Sequence, residues 1–240
     1  MCGIFAYNGT KNAVPKIIEG LQKLEYRWYD SAWVFAVSKE KSLFIEKSLG
    51  KVSNLATKIQ EQNNTHQYHN GIGHTRWATH GKVTEANTHP HISQNERFYV
   101  VHNGIIENYQ ELKNELQKTY HFYSETDTEV IAKLLEKYNT GDIQKTVKLV
   151  CEQLVWAYSI AVIDSQEPDI LIGAKLGSPM IISETDEWVY ISSDINALAG
   201  VTSEFISLDD GEIAVIQWWN KQIFSMGKEI FKTVEVIDST

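Results

Sequence analysis

An α+β protein, with two sheets packed between helices, is the fold class this sequence predicts. Three observations carry the prediction. Short apolar runs ending in turn residues open the chain, helix-periodic segments fill its middle, and a second cluster of β-rich runs follows. Strands in such number suit two sheets better than one.

The elements follow in chain order. Residues 3–7 are apolar and stop at Asn8-Gly9, a strand running into a turn. Ile17, Ile18, Leu21 and Leu24 fall on one helical face. Residues 32–37 and 42–47 read as two strands of a hairpin, 51–62 as a helix, and NNTHQYHNG as a polar loop. FYVVH at 98–102 is a strand that stops at Asn103-Gly104. A helix is expected over about 107–118, with Leu112 and Leu116 on one face. A second opens at Thr126, where Thr126 and Glu129 form a capping box, and runs to Tyr138; a third covers about 142–155. AYSIAVID, DILIGA, PMIIS, WVYISS, EFISL and GEIAVIQ are then short strands with turn signals between them.

Composition bounds the function. The chain has 240 residues, no internal repeat and no Pro/Gly/Ser-rich linker, which reads as a single domain over 1–240. A net charge of −9 gives a nucleic-acid partner no electrostatic footprint. No apolar run approaches the ~20 residues a membrane helix needs, and MCGIFAYNGTKN lacks the basic start of a signal peptide. A cytoplasmic protein is expected, and its two cysteines suit a reducing compartment. Cys151 sits among apolar residues at helical spacing and is expected in the core.

Cys2 is the first candidate for chemistry. Removal of Met1 leaves a residue with both a thiol and a free α-amino group. That amine, with a reference pKa of ~7.7–8.0, can take the thiol proton near neutral pH. The plain alternative is a small residue at the start of a strand. Asn103-Gly104 can aim an amide and a backbone N–H at one spot, as an oxyanion hole does, or can simply be a hairpin turn. Arg76 can grip a carboxylate through both guanidinium nitrogens, or lie solvated on the surface. Asp127 at a helix start can bind an ammonium group, or only complement the helix dipole. His74, His80, His89, His91 and His102 cluster in sequence, but their spacing matches no common zinc pattern and no cysteine joins them, so no metal is expected.

In order along the chain stand Met-Cys-Gly-Ile, LEYR-x-YDSA, LGKV, GIGHTRWATHG, N-x-HPH, VHNGIIENY, SETDTEVI and GSP. Together they resemble the glutaminase (type-2 glutamine amidotransferase) domain of the glutamine–fructose-6-phosphate aminotransferase family across essentially the whole chain. The resemblance implies an N-terminal-nucleophile hydrolase fold, a four-layer αββα sandwich of two antiparallel sheets between helices. It implies that Cys2 attacks the glutamine δ-carbonyl, that Asn103 and the Gly104 N–H hold the oxyanion, and that water then cleaves a γ-glutamyl thioester. Arg76 would bind the substrate α-carboxylate and Asp127 its α-amino group. Thr79, His80 and His89 would line the pocket, and Trp77 would sit on the loop that closes over L-glutamine and guards the ammonia exit. No cofactor is implied. The expected partner is a sugar-phosphate isomerase half that binds fructose 6-phosphate, absent from this chain, with a homodimer in the full-length enzyme.

Two alternatives stand beside this reading: an N-terminal-cysteine hydrolase of another amide, and a catalytically impaired glutamine-binding module. One departure from the family pattern bears on them. Trp28, Trp33 and Trp156 stand where the family pattern has glycine. Glycine serves positive φ or close approach of backbone, and tryptophan serves neither. Three such replacements predict UGA codons read as glycine in the source and rendered here as tryptophan. The same is suspected within Trp218-Trp219, in an expected hairpin turn. Trp77, inside the loop motif, is expected to be genuine.

Overall fold

The computed structural model describes residues 2–77, 87 and 89–237. Its first half carries β1 (Gly3–Gly9), α1 (Ala13–Lys23), β2 (Ser31–Val37), β3 (Leu43–Leu49), α2 (Val52–Glu61), β4 (Asn70–Arg76), β5 (His91–Ile92) and β6 (Phe98–Gly104). Three helices follow: α3 (Tyr109–Leu116), α4 (Thr128–Lys137) and α5 (Ile143–Cys151). The remainder is β7 (Tyr158–Asp164), β8 (Ile170–Leu176), β9 (Ile181–Glu184), β10 (Trp188–Ser192), β11 (Glu204–Ser207), β12 (Glu212–Gln217), β13 (Asn220–Ser225), β14 (Lys228–Ile230) and β15 (Glu235–Val236).

Eight strands form one sheet, in the order β15-β11-β9-β10-β1-β4-β2-β3, and seven form the other, β14-β13-β12-β8-β7-β6-β5. Every strand pairing within them is antiparallel. Strand alternation explains the layering, because successive side chains point to opposite faces. In β1, Ile4 and Ala6 join a core shared with Tyr99, Val101, Ala161 and Ile163 of the other sheet. Phe5 and Tyr7 face the other way, against Val14, Ile17 and Leu21 of α1. In the seven-stranded sheet, Phe98, Val100, Ile160 and Val162 turn outward to meet Leu116, Val130, Leu134 and Val147 of the three later helices. Both sheets are covered on both faces, so their central strands read as continuous apolar runs. The result is the expected αββα sandwich.

Several expectations need correction. Thr126 and Glu129 do not form a capping box. Asp127 holds the N-cap position of α4, the Thr126 hydroxyl turns to His91, and the Glu129 carboxylate accepts the N–H groups of Tyr123 and Ser124. The glutamate thus braces the loop before the helix, with Lys133 beside it at 3.5 Å. Asn103-Gly104 is not a hairpin turn: β6 runs through both residues, paired with β7, and then leads into α3. The third helix of the middle ends at Cys151, short of 155. Cys151 is half-buried, packed against the outer apolar layer, where burial pushes its thiol up to about 11.

The tryptophans divide into two groups. Trp156 has φ +90°, and Trp218 and Trp219 have φ +52° and +49°. The latter pair forms the two-residue loop between Gln217 and Asn220, where positive φ at both positions favours Asn-Gly. These three sit on backbone that glycine adopts freely and tryptophan does not. Trp28 and Trp33 show no left-handed backbone. Trp28 is 80 % exposed, whereas Trp33 lies buried between the sheets with no partner for its indole N–H.

Candidate active site

The site forms where β1 and β4 of one sheet meet β6 of the other. Cys2 precedes β1, and the pairing of Gly3 with Thr75 sets it beside Arg76 and Trp77. A side chain at Gly3 would have its Cβ 2.7 Å from the Thr75 hydroxyl and 2.9 Å from Leu24, so glycine lets the strand begin this close to its neighbour. The Trp77 N–H donates to Cys2 Sγ at 3.3 Å. Burial pushes the Cys2 thiol above its usual pKa, while the Trp77 hydrogen bond and the Arg76 charge partly oppose it. The resting group is therefore the thiol, and nucleophilic attack needs a base to take its proton.

From the second sheet, Asn103 Nδ2 donates to the Cys2 carbonyl oxygen at 3.2 Å. That oxygen can only accept, which fixes the amide's orientation. Gly104 follows with φ +125°, and a Cβ there would stand 2.2 Å from the Ala157 carbonyl oxygen. Conformation and space both require glycine at this position. An Asn side chain and a glycine N–H at the end of one strand, next to a thiol, are the parts of an oxyanion site.

The charged residues are both buried. Arg76 ends β4 inside the protein rather than on the surface. Asp127 makes no capping bond to its own helix; its Oδ2 accepts the Ile106 N–H at 2.8 Å. A carboxylate turned away from its helix does more than complement a dipole. One cleft of about 20 Å³ is lined by Cys2, Arg76, Trp77, His89, Gly104 and Asp127, together with His102, Thr126 and Thr128. It is about large enough for one water molecule, so a larger ligand must displace some of the lining. Trp77, 44 % exposed, stands at its edge. Among the larger cavities, one of about 420 Å³ lies beside α5, away from Cys2, and one of about 450 Å³ is lined by Glu25, Tyr26, Arg27, Trp28, Tyr29 and Lys51.

Of the residues singled out from sequence, Cys2, Arg76, Trp77, His89, Asn103, Gly104 and Asp127 come together. Thr79 and His80 lie outside the described residues. His89 is buried, its Nε2 3.1 Å from the Thr128 hydroxyl, which also bonds His102 Nδ1 at 2.9 Å. Burial pushes His74, His89, His91 and His102 below the usual histidine range. Among the described residues no three His, Cys, Asp or Glu side chains are grouped to hold a metal ion, and no helix is long and apolar enough to cross a membrane.

Sequence reasoning missed Arg27. Its Nη1 donates to the Cys2 carbonyl at 3.4 Å while Nη2 pairs with Asp194, which also accepts the Tyr26 hydroxyl. The available signal was its place in LEYRWYDSA, but Asp194 is far away in sequence and only the fold joins them.

Comparison with known proteins gives three findings. A family model described as a glutamine amidotransferase domain matches residues 59–239. Two curated relatives carry the name glutamine–fructose-6-phosphate aminotransferase [isomerizing]. The one from Aquifex aeolicus is 47 % identical over 215 residues, covering 89 % of this chain and 36 % of its own length. The one from Fusobacterium nucleatum is 40 % identical over 241 residues, covering 99 % and 39 %. The chain thus spans little more than a third of these relatives. Among solved structures, the Bacillus subtilis glutamine phosphoribosylpyrophosphate amidotransferase has a TM-score of 0.80 at 23 % identity, over 93 % of this chain and 49 % of that one. A glutamine aminotransferase class-II domain protein from Silicibacter pomeroyi has a TM-score of 0.60 at 13 % identity, over 95 % of this chain and all of the other.

Proposed function

Since the chain belongs to the glutamine amidotransferase domain family, we propose that it hydrolyses L-glutamine to glutamate and ammonia, with Cys2 as nucleophile. The observation that carries the reading is the single cleft shared by Cys2, Arg76, Gly104 and Asp127, with the Asn103 amide bonded to the nucleophile's own carbonyl. Glutamine offers a carboxylate, an ammonium group and a neutral amide. Arg76 complements the first, Asp127 the second, and the thiol reaches the third.

With Met1 removed, the Cys2 α-amine takes the thiol proton. Sγ then bonds to the δ-carbon, and the carbonyl oxygen becomes an oxyanion held by Asn103 Nδ2 and the Gly104 N–H. As the C–N bond breaks, the α-ammonium returns its proton to the leaving nitrogen and ammonia departs. Water attacks the γ-glutamyl thioester, and the thiol leaves with a proton as glutamate forms. Trp77 closes over the bound amino acid, with Thr79, His80 and His89 completing the pocket.

The relatives' names extend the proposal. The ammonia serves the amination of fructose 6-phosphate, bound by an isomerase half that is not part of these residues, in a dimeric enzyme. A reducing cytoplasm suits the thiol chemistry. The test is ammonia release from L-glutamine by the 240-residue chain and by Cys2→Ala. Release by the first and none by the second is expected. Glutamine binding without ammonia from either would leave a binding module instead, and release from other amides but not glutamine would reassign the substrate.

A further inference from the structure

His74 lies on β4, on the same face as Ile72 and Arg76, and Asn103 lies on β6, on the same face as Tyr99 and Val101. These two faces look at each other. Across the gap, His74 Nε2 stands 2.9 Å from Asn103 Oδ1. Because Asn103 Nδ2 is committed to the Cys2 carbonyl, its Oδ1 is an acceptor, and His74 must carry its proton on Nε2. The imidazole is fully buried. Burial holds its pKa down to about 3, so it stays neutral under ordinary conditions, and the acceptor at Asn103 Oδ1 selects the Nε2–H tautomer.

We infer that His74 is the positioning residue of the oxyanion site: its Nε2–H fixes the Asn103 amide with Nδ2 toward the reacting carbonyl. The inference rests on the functional reading above. An amide held at only one end can turn over, and an overturned Asn103 would present Oδ1 to a developing oxyanion. The Cys2 carbonyl takes one Nδ2 hydrogen, and the His74 bond to Oδ1 leaves the second hydrogen aimed at substrate. The same bond joins the two sheets, so it also fixes the distance between nucleophile and oxyanion donors.

A double-mutant cycle on glutamine hydrolysis tests this. His74→Ala is expected to lower kcat about ten- to a hundredfold with KM changed less than about twofold, a smaller loss than the ~10²–10³ expected when the donor itself goes in Asn103→Ala. In the Asn103→Ala background, His74→Ala should change kcat less than about twofold, because a residue acting only through Asn103 has nothing left to position. His74→Gln places an amide N–H near the position of Nε2 and should recover most of the activity; His74→Asn is too short to do so. That pair decides the matter if His74→Ala does not fold. Independently of activity, ¹⁵N NMR of the ring should show the Nε2–H tautomer unchanged between pH 5 and 9. Additive losses, a rise in KM at constant kcat, equal rates for the Gln and Asn variants, or an Nδ1–H tautomer would each overturn the inference. Absence of ammonia from the wild-type chain overturns the functional reading and this inference with it, whereas wild-type activity that His74→Ala leaves intact overturns this inference alone.

Discussion

Strands β4 and β6 end at the same place but bring different chemistry to it. The edge formed by β1 and β4 supplies a thiol and a fixed positive charge, Cys2 and Arg76. The end of β6 brings neutral dipoles, the Asn103 amide and the Gly104 N–H, and the loop after it holds a negative charge, Asp127, through the Ile106 N–H. The first set is placed by strand register, since pairing Gly3 with Thr75 is enough to seat Cys2 beside Arg76. The second depends on side-chain bonds, His74 to Asn103 and Ile106 N–H to Asp127. Neither sheet holds a site alone, and the proposed chemistry exists only while the two pack face to face.

Perturbing the second sheet separates the roles. Asn103→Ala should lose ~2.7–4 kcal/mol of transition-state stabilisation, read as a fall in kcat at nearly constant KM. Asp127→Asn keeps an acceptor for Ile106 but removes the charge, and should raise the glutamine KM by about thirtyfold, ~2 kcal/mol, with kcat less affected. If both variants shifted the same parameter, the division of labour between them would be wrong.

Acid probes the junction itself. His74 titrates at about 3 in the folded protein, and burial also holds His89, His91 and His102 below the usual range. In the unfolded chain each binds a proton near pH 6.5. The unfolded state therefore binds more protons below that pH, and stability is full above about 6.5 and falls on acidification toward 3. His74 alone should contribute a loss of about 1.4 kcal/mol per pH unit in that window, with the other three adding in the same direction. Thermal unfolding at pH 7, 6 and 5 checks this; an unchanged Tm would show that these rings are not held neutral.

The smallest effect concerns the loop behind the proposed oxyanion site. Trp156, at φ +90°, precedes the Ala157 carbonyl that packs on Gly104. Trp156→Gly should stabilise the protein by about 1 kcal/mol, since glycine adopts this backbone without strain. The codons at 28, 33 and 156 test the related idea of a rendered UGA: UGG at all three would dismiss it.

Much of this was legible in the sequence because apolar alternation and helical spacing are local signals. The strand over 98–102, the helix carrying Ile17 and Leu21, and the paired strands near 32 and 43 all read directly. The proposed oxyanion pair and nucleophile, and the two buried charges, were legible as residue types in motifs. What stayed hidden depends on long-range partners. Thr126 and Glu129 match a capping box by spacing, yet His91 and the backbone of Tyr123 and Ser124 outcompete the helix end for them. Asn103-Gly104 is a turn dipeptide whose strand continues because β7 pairs with it to the last residue. Arg27 and His74 acquire roles only through Asp194 and Asn103, which no local pattern connects to them.

The most direct test of the central claim is to trap the covalent intermediate. The chain is mixed with L-glutamine, quenched in acid within milliseconds to seconds, and analysed by intact mass and peptide mapping. The account predicts a γ-glutamyl adduct on Cys2 of chains that have lost Met1, absent from Cys2→Ala. Ammonia release with no adduct on Cys2, or with the adduct on Cys151, would contradict it.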